Sequence, residues 1–338
     1  MQKSVKIIAE IGVNHNGNIE QAFSLIDAAA TAGADYVKFQ YFEAKKIVTK
    51  TAPKAAYQIA ADSKSVSQFD MLKNLELSHS ELKKLCNYSK DRRIKFLCSA
   101  FDTDGIKKIL DFDPDYIKIP SGEITNLPYL LYTASIGRPL ILSTGMSTLE
   151  EINEALVIIE SAGLSRKKII ILHCNSEYPT PYEDVNLHAM KTIKNKLQVD
   201  VGYSDHTKGI EVAIAAIAMG ATVLEKHLTL DKQMKGPDHF ASIEPFEFTQ
   251  MVKAIRNIEK ALGSRKKFPS QSEIKNREIV RKSIVARKDI KVGEQFTIEN
   301  ITTKRPGTGI SAINWEQVLG LKATLAYKPD ELINEKLN

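Results

Sequence analysis

The sequence predicts an α/β protein, a (β/α)8 (TIM) barrel over residues 1–263 followed by a small β-rich domain. Eight short apolar segments alternate with longer amphipathic ones, which is the pattern of parallel strands joined by helices. Polar side chains follow every apolar segment, as they do at the catalytic rim of such barrels. The pattern then changes: residues 264–281 are polar and charged and predict a linker, and residues 282–338 contain short β-like pieces.

The predicted strands lie at residues 5–9, 36–39, 95–98, 116–119, 139–142, 168–172, 199–202 and 221–224. Helical periodicity occurs between them at residues 19–32, 79–91, 103–111, 149–162, 187–196 and 209–219, and residues 245–262 form a last helix that closes the barrel. Parallel strands bring their carboxyl ends to one rim of a barrel. The residues just after each predicted strand are therefore the candidates for a functional site.

The composition predicts a cytoplasmic globular protein with no nucleic-acid partner. Hydrophobic residues make up 43% of the chain and charged residues 26%, and the net charge of +6 is spread in short pairs. No apolar run approaches the roughly 18 residues of a membrane span, and the N-terminus has no secretory pattern. Cys86, Cys98 and Cys174 have no CxxC spacing, so they predict neither disulfides nor a thiolate zinc site.

Two histidines follow adjacent predicted strands. Residues 199–227 have the pattern of a β-α-β unit, in which His206 follows the seventh strand and His227 follows the eighth. Two neutral imidazoles that meet at one rim can hold a divalent metal, with carboxylates or water completing the shell. The alternative is that each histidine is a hydrogen-bonded structural residue.

A second set of side chains has the chemistry of a phosphate site. It contains two cations and several hydroxyl groups: Lys38, Ser99, Lys118, Ser121, Ser143 and Ser204. Ammonium groups neutralise a phosphate and hydroxyl groups orient it. A single lysine is usually a solvated side chain. However, Lys38 and Lys118 lie in the apolar contexts YVKFQ and YIKIP, where a buried ammonium group needs a partner.

Carboxylates form a third set. Glu10, Glu123, Glu225 and Asp238 can ligate a metal, bind hydroxyl groups or move protons, and their spacing assigns none of these roles. For Glu225 the alternative is a salt bridge with a lysine of a neighbouring strand. Asp238 lies in the turn-rich loop GPDHFAS, which we expect to form a wall of the site. In the C-terminal domain Arg305 lies in the stiff turn KRPGTG, either as a surface charge or as a ligand contact.

With these motifs in view, the chain resembles the sialic acid synthases. The motifs that carry the resemblance occur in order along almost the whole chain: EIGVNHNG, KFQ, KIPSGE, LSTGM, LHCNSEYPTPYEDVNL, GYSDHT, EKHLTLD, GPDHFAS and KRPGTGIS. The enzymes of this family make nine-carbon nonulosonic acids from phosphoenolpyruvate and an N-acetylated mannose-type sugar. The C-terminal part resembles the antifreeze-like (SAF) domain of the same family.

The resemblance implies a role for each set of residues. His206 and His227 match the ligands of Mn²⁺ or Mg²⁺, and the six phosphate-site residues match those that hold the phosphate of phosphoenolpyruvate. The metal and sugar side is matched by Glu10, Gln40, Glu123, Tyr178 and Asp238. We expect catalytic roles for Glu10, Lys118, Glu123 and His206, and substrate contacts for Ser176 and Glu225. The family also implies a domain-swapped homodimer, in which Arg305 of one subunit contacts the sugar's N-acetyl group at the barrel of the other.

Departures from the common motifs favour one sugar. Synthases that act on N-acetylmannosamine show KHQTH and ECNNYP, where this chain has KFQY and EITNLP, and Ser176 replaces an asparagine on the phosphate side. These differences resemble the branch that converts 2,4-diacetamido-2,4,6-trideoxymannose to N,N′-diacetyllegionaminate, and Phe39 is compatible with a less polar sugar pocket. The alternative is an N-acetylneuraminate synthase that uses N-acetylmannosamine.

Two more distant alternatives remain. One is a different metal-dependent phosphoenolpyruvate synthase of the kind found in the aromatic-acid pathway, against which the SAF-like tail argues. The other is a non-catalytic sugar-binding protein. Both histidines, both lysines and Glu123 are retained, which argues against that second alternative.

Overall fold

The computed structural model describes residues 4–55, 58–59 and 67–337. The chain divides into two compact units, Met1–Gly263 and Ser264–Asn338. Among the described residues, no helix is both long enough and apolar enough to cross a membrane.

The first unit contains a closed barrel of eight parallel strands, in which β8 pairs with β1. The predicted (β/α)8 architecture is therefore confirmed. The strands are β1 (Lys6–Gly12), β2 (Tyr36–Tyr41), β3 (Lys95–Ala100), β4 (Ile117–Ile119), β5 (Leu140–Ser143), β6 (Ile169–His173), β7 (Asp200–Asp205) and β8 (Val223–His227).

Helices surround the barrel and supply its outer core. In the first unit they are α1 (Ile19–Ala32), α2 (Ala44–Ile47), α3 (Gln68–Lys73), α4 (His79–Asp91), α5 (Thr103–Ile109), α6 (Leu127–Ser135), α7 (Leu149–Ser161), α8 (Ala189–Leu197), α9 (Glu211–Ala218) and α10 (Pro245–Leu262). The sequence predicts α1, α4 and α10 with these bounds but does not predict α2, α3 or α6. Side-chain caps explain several helix starts: Asn18 caps α1, while Ser78 with Glu81 forms a capping box at α4.

Successive residues of a strand point to opposite faces, so every second residue points into the barrel. These inward side chains form layers. A lower layer is apolar and contains Ile8, Leu97, Ile141, Ile170 and Val223. Two residues further along most strands, the inward side chains become polar. This upper layer contains Glu10, Lys38, Ser99, Lys118, Ser143, Ser204 and Glu225, all at most 4% exposed. Most outward positions are apolar and pack against the helices.

The second unit is built on a two-stranded antiparallel sheet. Its elements are α11 (Gln271–Val280), β9 (Ser283–Ala286), β10 (Ile301–Lys304) and α12 (Trp315–Val318). A separate small core holds it together, centred on Ile284, Phe296, Ile301 and Tyr327. Part of the segment that the sequence predicts as a linker is helical, because residues 271–280 form α11 with a capping box between Ser270 and Glu273.

Candidate active site

A network of ion pairs centred on Lys38 occupies the polar layer of the barrel. The Lys38 Nζ atom lies 2.9 Å from Glu225 Oε2 and 3.2 Å from Glu10 Oε2, and it contacts Ser99 Oγ at 3.4 Å. Burial opposes the charged lysine, but the two carboxylates raise the pKa of Lys38 above its usual value. The salt bridge that the sequence offers as the alternative for Glu225 is therefore present.

Lys118 is less completely neutralised. Its Nζ atom lies 3.7 Å from Glu225 Oε1, longer than a hydrogen bond. Burial lowers the pKa of Lys118 to about 8, against the opposing charge of Glu225 and with the reinforcing charge of Lys38. The two lysines in turn hold the pKa of Glu225 below its usual range although burial acts the other way. An anion that replaced Glu225 as the partner of Lys118 would satisfy this ammonium group more fully.

Serine hydroxyls and a close-packed glycine lie around these lysines. The backbone N–H of Gly145 donates to Ser121 Oγ at 2.9 Å, and Ser121 Oγ lies 3.5 Å from Cys174 Sγ. A Cβ atom at Gly145 would collide with Ser176 Oγ, so only glycine allows the two loops after β5 and β6 to approach each other here. Hydroxyl groups and a backbone amide thereby converge next to the two ammonium groups.

The two predicted imidazoles lie together above this layer. The ring centroids of His206 and His227 are 5.5 Å apart, and Tyr178 stacks on His206 at 4.1 Å and meets His227 edge-on at 5.7 Å. Burial lowers the pKa of His206 to about 4. Burial, reinforced by the neighbouring His206, also depresses the pKa of His227. Both rings are therefore neutral at physiological pH, as metal ligands must be.

The hydrogen bonds of these rings fit a metal site. His206 Nδ1 lies 2.5 Å from the carbonyl oxygen of Asn175, which only accepts, so Nδ1 carries the ring hydrogen and Nε2 keeps its lone pair. His227 Nδ1 is buried without a hydrogen-bond partner, and Asp238 Oδ2 lies 3.9 Å from it. Within the described part of the chain, no group of three or more His, Cys, Asp or Glu side chains is placed to hold a metal. The residues therefore fit a cation with two imidazole ligands whose other ligands are oxygen atoms of water or substrate.

Three further carboxyl groups have raised pKa values. Burial raises the pKa of Glu10, against the opposing charge of Lys38, and Gln40 Nε2 donates to Glu10 Oε1 at 3.0 Å. Burial, reinforced by the charge of Glu10, raises the pKa of Asp238 to about 7. Glu123 is half-buried on the short turn Ser121–Glu123, where burial raises its pKa although Asn126 donates to its Oε2 at 2.6 Å. Asp238, with a pKa of about 7, can therefore exchange a proton near neutral pH.

One cavity of about 520 Å³ brings together every site residue that the sequence predicts in the barrel. These are Glu10, Lys38, Gln40, Ser99, Lys118, Ser121, Glu123, Ser143, Ser176, Tyr178, Ser204, His206, Glu225, His227 and Asp238. The remaining predicted residue, Arg305, belongs to the second unit, where it is exposed just after β10.

A larger cavity, of about 1100 Å³, lies beside the first between the loops after β5 and β6 and the helices α7 and α8. It shares Met146, Cys174 and Ser176 with the smaller cavity. The described residues that line it include neither of the buried lysines nor the paired imidazoles. The smaller cavity is therefore the candidate active site.

Phe39 is compatible by residue type with a less polar sugar pocket, but it is not among the residues that line the cavity. Its side chain points outward from the barrel, is fully buried and stacks on Phe96 with ring centroids 5.5 Å apart. Inward positions on β2 alternate with outward ones, and Lys38 and Gln40 take the inward positions. Phe39 is therefore part of the outer core.

An ion pair and a set of apolar side chains at the site were not predicted from the sequence. Asp205 and Lys226 form a fully buried ion pair at 2.9 Å, each next to one of the two histidines. Apolar side chains that follow β1, β2 and β3, such as Val13, Phe42 and Phe101, line part of the cavity. The signal for these apolar side chains was present in the sequence, because each lies just after a predicted strand.

Comparisons with known proteins identify the family of both units. Residues 25–267 match the NeuB family and residues 281–336 match the SAF domain. The chain is 50% identical to the N,N'-diacetyllegionaminic acid synthase of Campylobacter jejuni, over 98% of this chain and 100% of that protein. It is 44% identical to the protein of the same name from Legionella pneumophila, over 94% of this chain and 90% of that protein.

A solved structure shares the fold. It is the N-acetylneuraminic acid (sialic acid) synthetase of Leptospira borgpetersenii in complex with citrate, which is 33% identical to this chain. The match covers 81% of this chain and 90% of that one, with a TM-score of 0.72. The resemblance seen in the motifs is thus confirmed across both units, and the chain belongs to the NeuB family and carries a C-terminal SAF domain.

Proposed function

We propose that this enzyme condenses phosphoenolpyruvate with 2,4-diacetamido-2,4,6-trideoxymannose to give N,N′-diacetyllegionaminate and phosphate. The observation that carries the proposal is the single cavity in which two buried lysines and five serines lie beneath two neutral imidazoles. The identity to the two N,N'-diacetyllegionaminic acid synthases over nearly the whole chain supports this choice of sugar.

The phosphate of phosphoenolpyruvate binds at the lysine end of the cavity. Lys118 is the main electrostatic partner because its ion pair with Glu225 is long, while Lys38 remains held between two carboxylates. The hydroxyl groups complete the phosphate site, and they belong to Ser99, Ser121, Ser143, Ser176 and Ser204. This end of the cavity also stabilises the charge of the departing phosphate.

His206 and His227 would hold a divalent cation, Mn²⁺ or Mg²⁺. The carbonyl group of Asn175 fixes the orientation and the tautomer of His206. When bound, the cation would act as a Lewis acid on the aldehyde oxygen of the open-chain sugar. Asp238 and Gln40 lie on the same side of the cavity and would contact the sugar's hydroxyl groups, as would Tyr178.

Carboxyl groups move the protons of the reaction. Bond formation between C3 of phosphoenolpyruvate and the aldehyde carbon leaves a cation at C2, to which water adds. Glu123 would accept the proton from this water, because it lines the cavity, is only half-buried and has a raised pKa. Glu10 pairs with Lys38 and would position its ammonium group for catalysis. The bond between C2 and the phosphate oxygen then breaks, phosphate leaves with the bonding electron pair, and the C2 hydroxyl group loses its proton to become the ketone. Of the two protons of the added water, one ends on the former aldehyde oxygen and the other on the phosphate.

A phosphate-release assay tests the proposal. Purified enzyme is given phosphoenolpyruvate and Mn²⁺ with either 2,4-diacetamido-2,4,6-trideoxymannose or N-acetylmannosamine. We expect release with the first sugar at a much higher kcat/KM, and isotopically heavy oxygen placed in the C2–O bond should appear in the phosphate. Faster release with N-acetylmannosamine would identify an N-acetylneuraminate synthase instead. Release with neither sugar would favour a sugar-binding protein.

We also propose that the enzyme is a cytoplasmic, domain-swapped homodimer. The three cysteines are free and buried, which suits a reducing compartment. The second unit has a core too small for much independent stability, and its exposed Arg305 is available to a partner subunit. In this arrangement Arg305 contacts the N-acetyl group of a sugar bound to the other subunit.

A further inference from the structure

One part of the active-site cavity is apolar. Six side chains that line it form what we call the apolar wall: Val13, Phe42, Met71, Leu72, Leu75 and Phe101. They belong to one small cluster, distinct from both the barrel interior and the outer core, in which Phe42 and Phe101 meet edge to face with ring centroids 6.0 Å apart. Two glutamines lie next to this wall, and Gln68 Nε2 donates a hydrogen bond to Gln58 Oε1 at 3.4 Å.

The apolar wall lies further toward the mouth of the barrel than the phosphate end. Val13 comes three residues after Glu10 on the chain, and Phe42 comes four residues after Lys38. Val13 follows the end of β1 and Phe42 follows the end of β2, so both lie beyond the polar layer, toward the carboxyl ends of the strands. A sugar whose aldehyde group lies by the imidazoles would extend its other end in this direction.

We propose that the apolar wall binds the C6 methyl group of a 6-deoxy sugar and so selects such sugars over those with a hydroxyl group at C6. This inference rests on the proposed function and specifies which part of that site distinguishes sugars at C6. The C6 methyl group has no polar atom attached to it, whereas the methyl group of each acetamido substituent adjoins an amide that needs hydrogen-bond partners. A C6 hydroxyl group against this wall would lose its water without gaining a partner.

The test is a matched pair of sugars that differ only at C6. These are 2,4-diacetamido-2,4,6-trideoxymannose and 2,4-diacetamido-2,4-dideoxymannose, each assayed with phosphoenolpyruvate and Mn²⁺ by phosphate release. An apolar pocket discriminates by about tenfold to a hundredfold against an added hydroxyl group. We expect the deoxy sugar to have the higher kcat/KM by such a factor, mainly through a lower KM.

Two variants place polar atoms on the wall without changing its shape much. Val13→Thr is isosteric, and Met71→Gln replaces a thioether with an amide of similar length. We expect each to reduce the preference for the deoxy sugar by about three- to tenfold. The control is Val252→Thr, which makes the same change at a buried position on α10 in the outer core and should leave the preference unchanged. Thermal unfolding of all three variants controls for loss of folded protein.

The outcomes separate this inference from the proposed function. Equal kcat/KM for both sugars in the unmodified enzyme would overturn the inference alone. So would an equal loss of activity with both sugars in Val13→Thr and Met71→Gln. Phosphate release with neither sugar would overturn the proposed function, and this inference with it.

Discussion

Lys118 is a buried cation whose charge changes near neutral pH. Burial lowers its pKa to about 8, while its charged neighbours Glu225, Lys38 and Glu10 partly cancel one another's effects. A lysine is charged below its pKa and neutral above it. The ammonium form, which the phosphate of phosphoenolpyruvate needs, is therefore present at pH 7 and is lost as the pH rises through about 8.

We expect kcat/KM for phosphoenolpyruvate to fall with rising pH around pH 8, since this ratio reports the ionisation of the free enzyme. Lys118→Arg should remove this decline, because a guanidinium group stays charged, although its different shape will lower the plateau. The measurement is a pH profile of kcat/KM for both proteins. A decline at the same pH in Lys118→Arg would show that another group is responsible.

His206 should control metal binding and turnover together. We expect His206→Ala to weaken Mn²⁺ binding, measured by titration calorimetry, and to lower kcat by more than about a hundredfold, because one of two protein ligands is lost. His188→Ala is the matched control, since this histidine is exposed and lies outside the site. A His206→Ala enzyme that kept full turnover in the presence of a chelator would refute the metal assignment.

The sequence predicted which chemical groups line the cavity better than it predicted the face of the strand on which each side chain lies. The motifs predicted the lysines, serines, carboxylates and imidazoles that line the cavity, because such groups in apolar contexts need partners. Phe39 is compatible with an apolar pocket by residue type, but residue type does not specify the face of β2 on which a side chain lies. On a strand, neighbours in sequence point to opposite faces, and only the outer core, seen in the structure, shows which face Phe39 joins.

The ends of two strands were predicted too early in the sequence. The fold was predictable because the lower layer of the barrel and the helix periodicity leave clear apolar patterns. However, β7 ends at Asp205 and β8 at His227, whereas the sequence predicted ends at residues 202 and 224. Strand pairing continues through Ser204 and Glu225, although polar inward side chains had ended the apolar run. Ser204, Glu225 and His227 therefore lie on the strands, whereas His206 directly follows β7.

The ends of β7 and β8 are joined by a buried ion pair. Asp205 and Lys226 occupy paired positions on the two strands, and both side chains are fully buried on the outer face of the barrel. Lys226 Nζ also donates to the carbonyl oxygen of Thr207 at 2.5 Å, and Asp205 Oδ1 accepts from the backbone N–H of Thr207 at 2.9 Å. Because His206 and His227 are the next residues, this network fixes the strand ends that present the two imidazoles.

Removing both charges of this pair should cost less than the sum of the costs of removing each one alone. We expect Asp205→Asn or Lys226→Met alone to lower the free energy of unfolding by about 3–5 kcal/mol, since each leaves an unpaired buried charge. The double variant should lose clearly less than the sum of the two. Chemical denaturation measures all three, with Asp104→Asn in the exposed pair with Lys107 as a control that costs at most about 1 kcal/mol. Strictly additive losses would show that the two charges do not interact.

The two units of the chain contribute different parts of the proposed active site. The barrel carries every cavity residue described above and a large core of its own. The second unit contributes a short antiparallel sheet and an exposed arginine. In the proposed homodimer each active site takes its barrel from one chain and Arg305 from the other, so a complete site requires two chains.

Mixing two defective chains tests this arrangement. Arg305→Ala and His206→Ala should each be inactive or nearly so as homodimers. If the arginine acts across the dimer, a heterodimer of the two has one site with an intact barrel and an intact arginine. Random assembly makes half of the dimers mixed, so the mixture should recover about one quarter of the unmodified activity. If Arg305 serves the barrel of its own chain, no heterodimer contains an intact site, and refolding the two variants together will restore nothing.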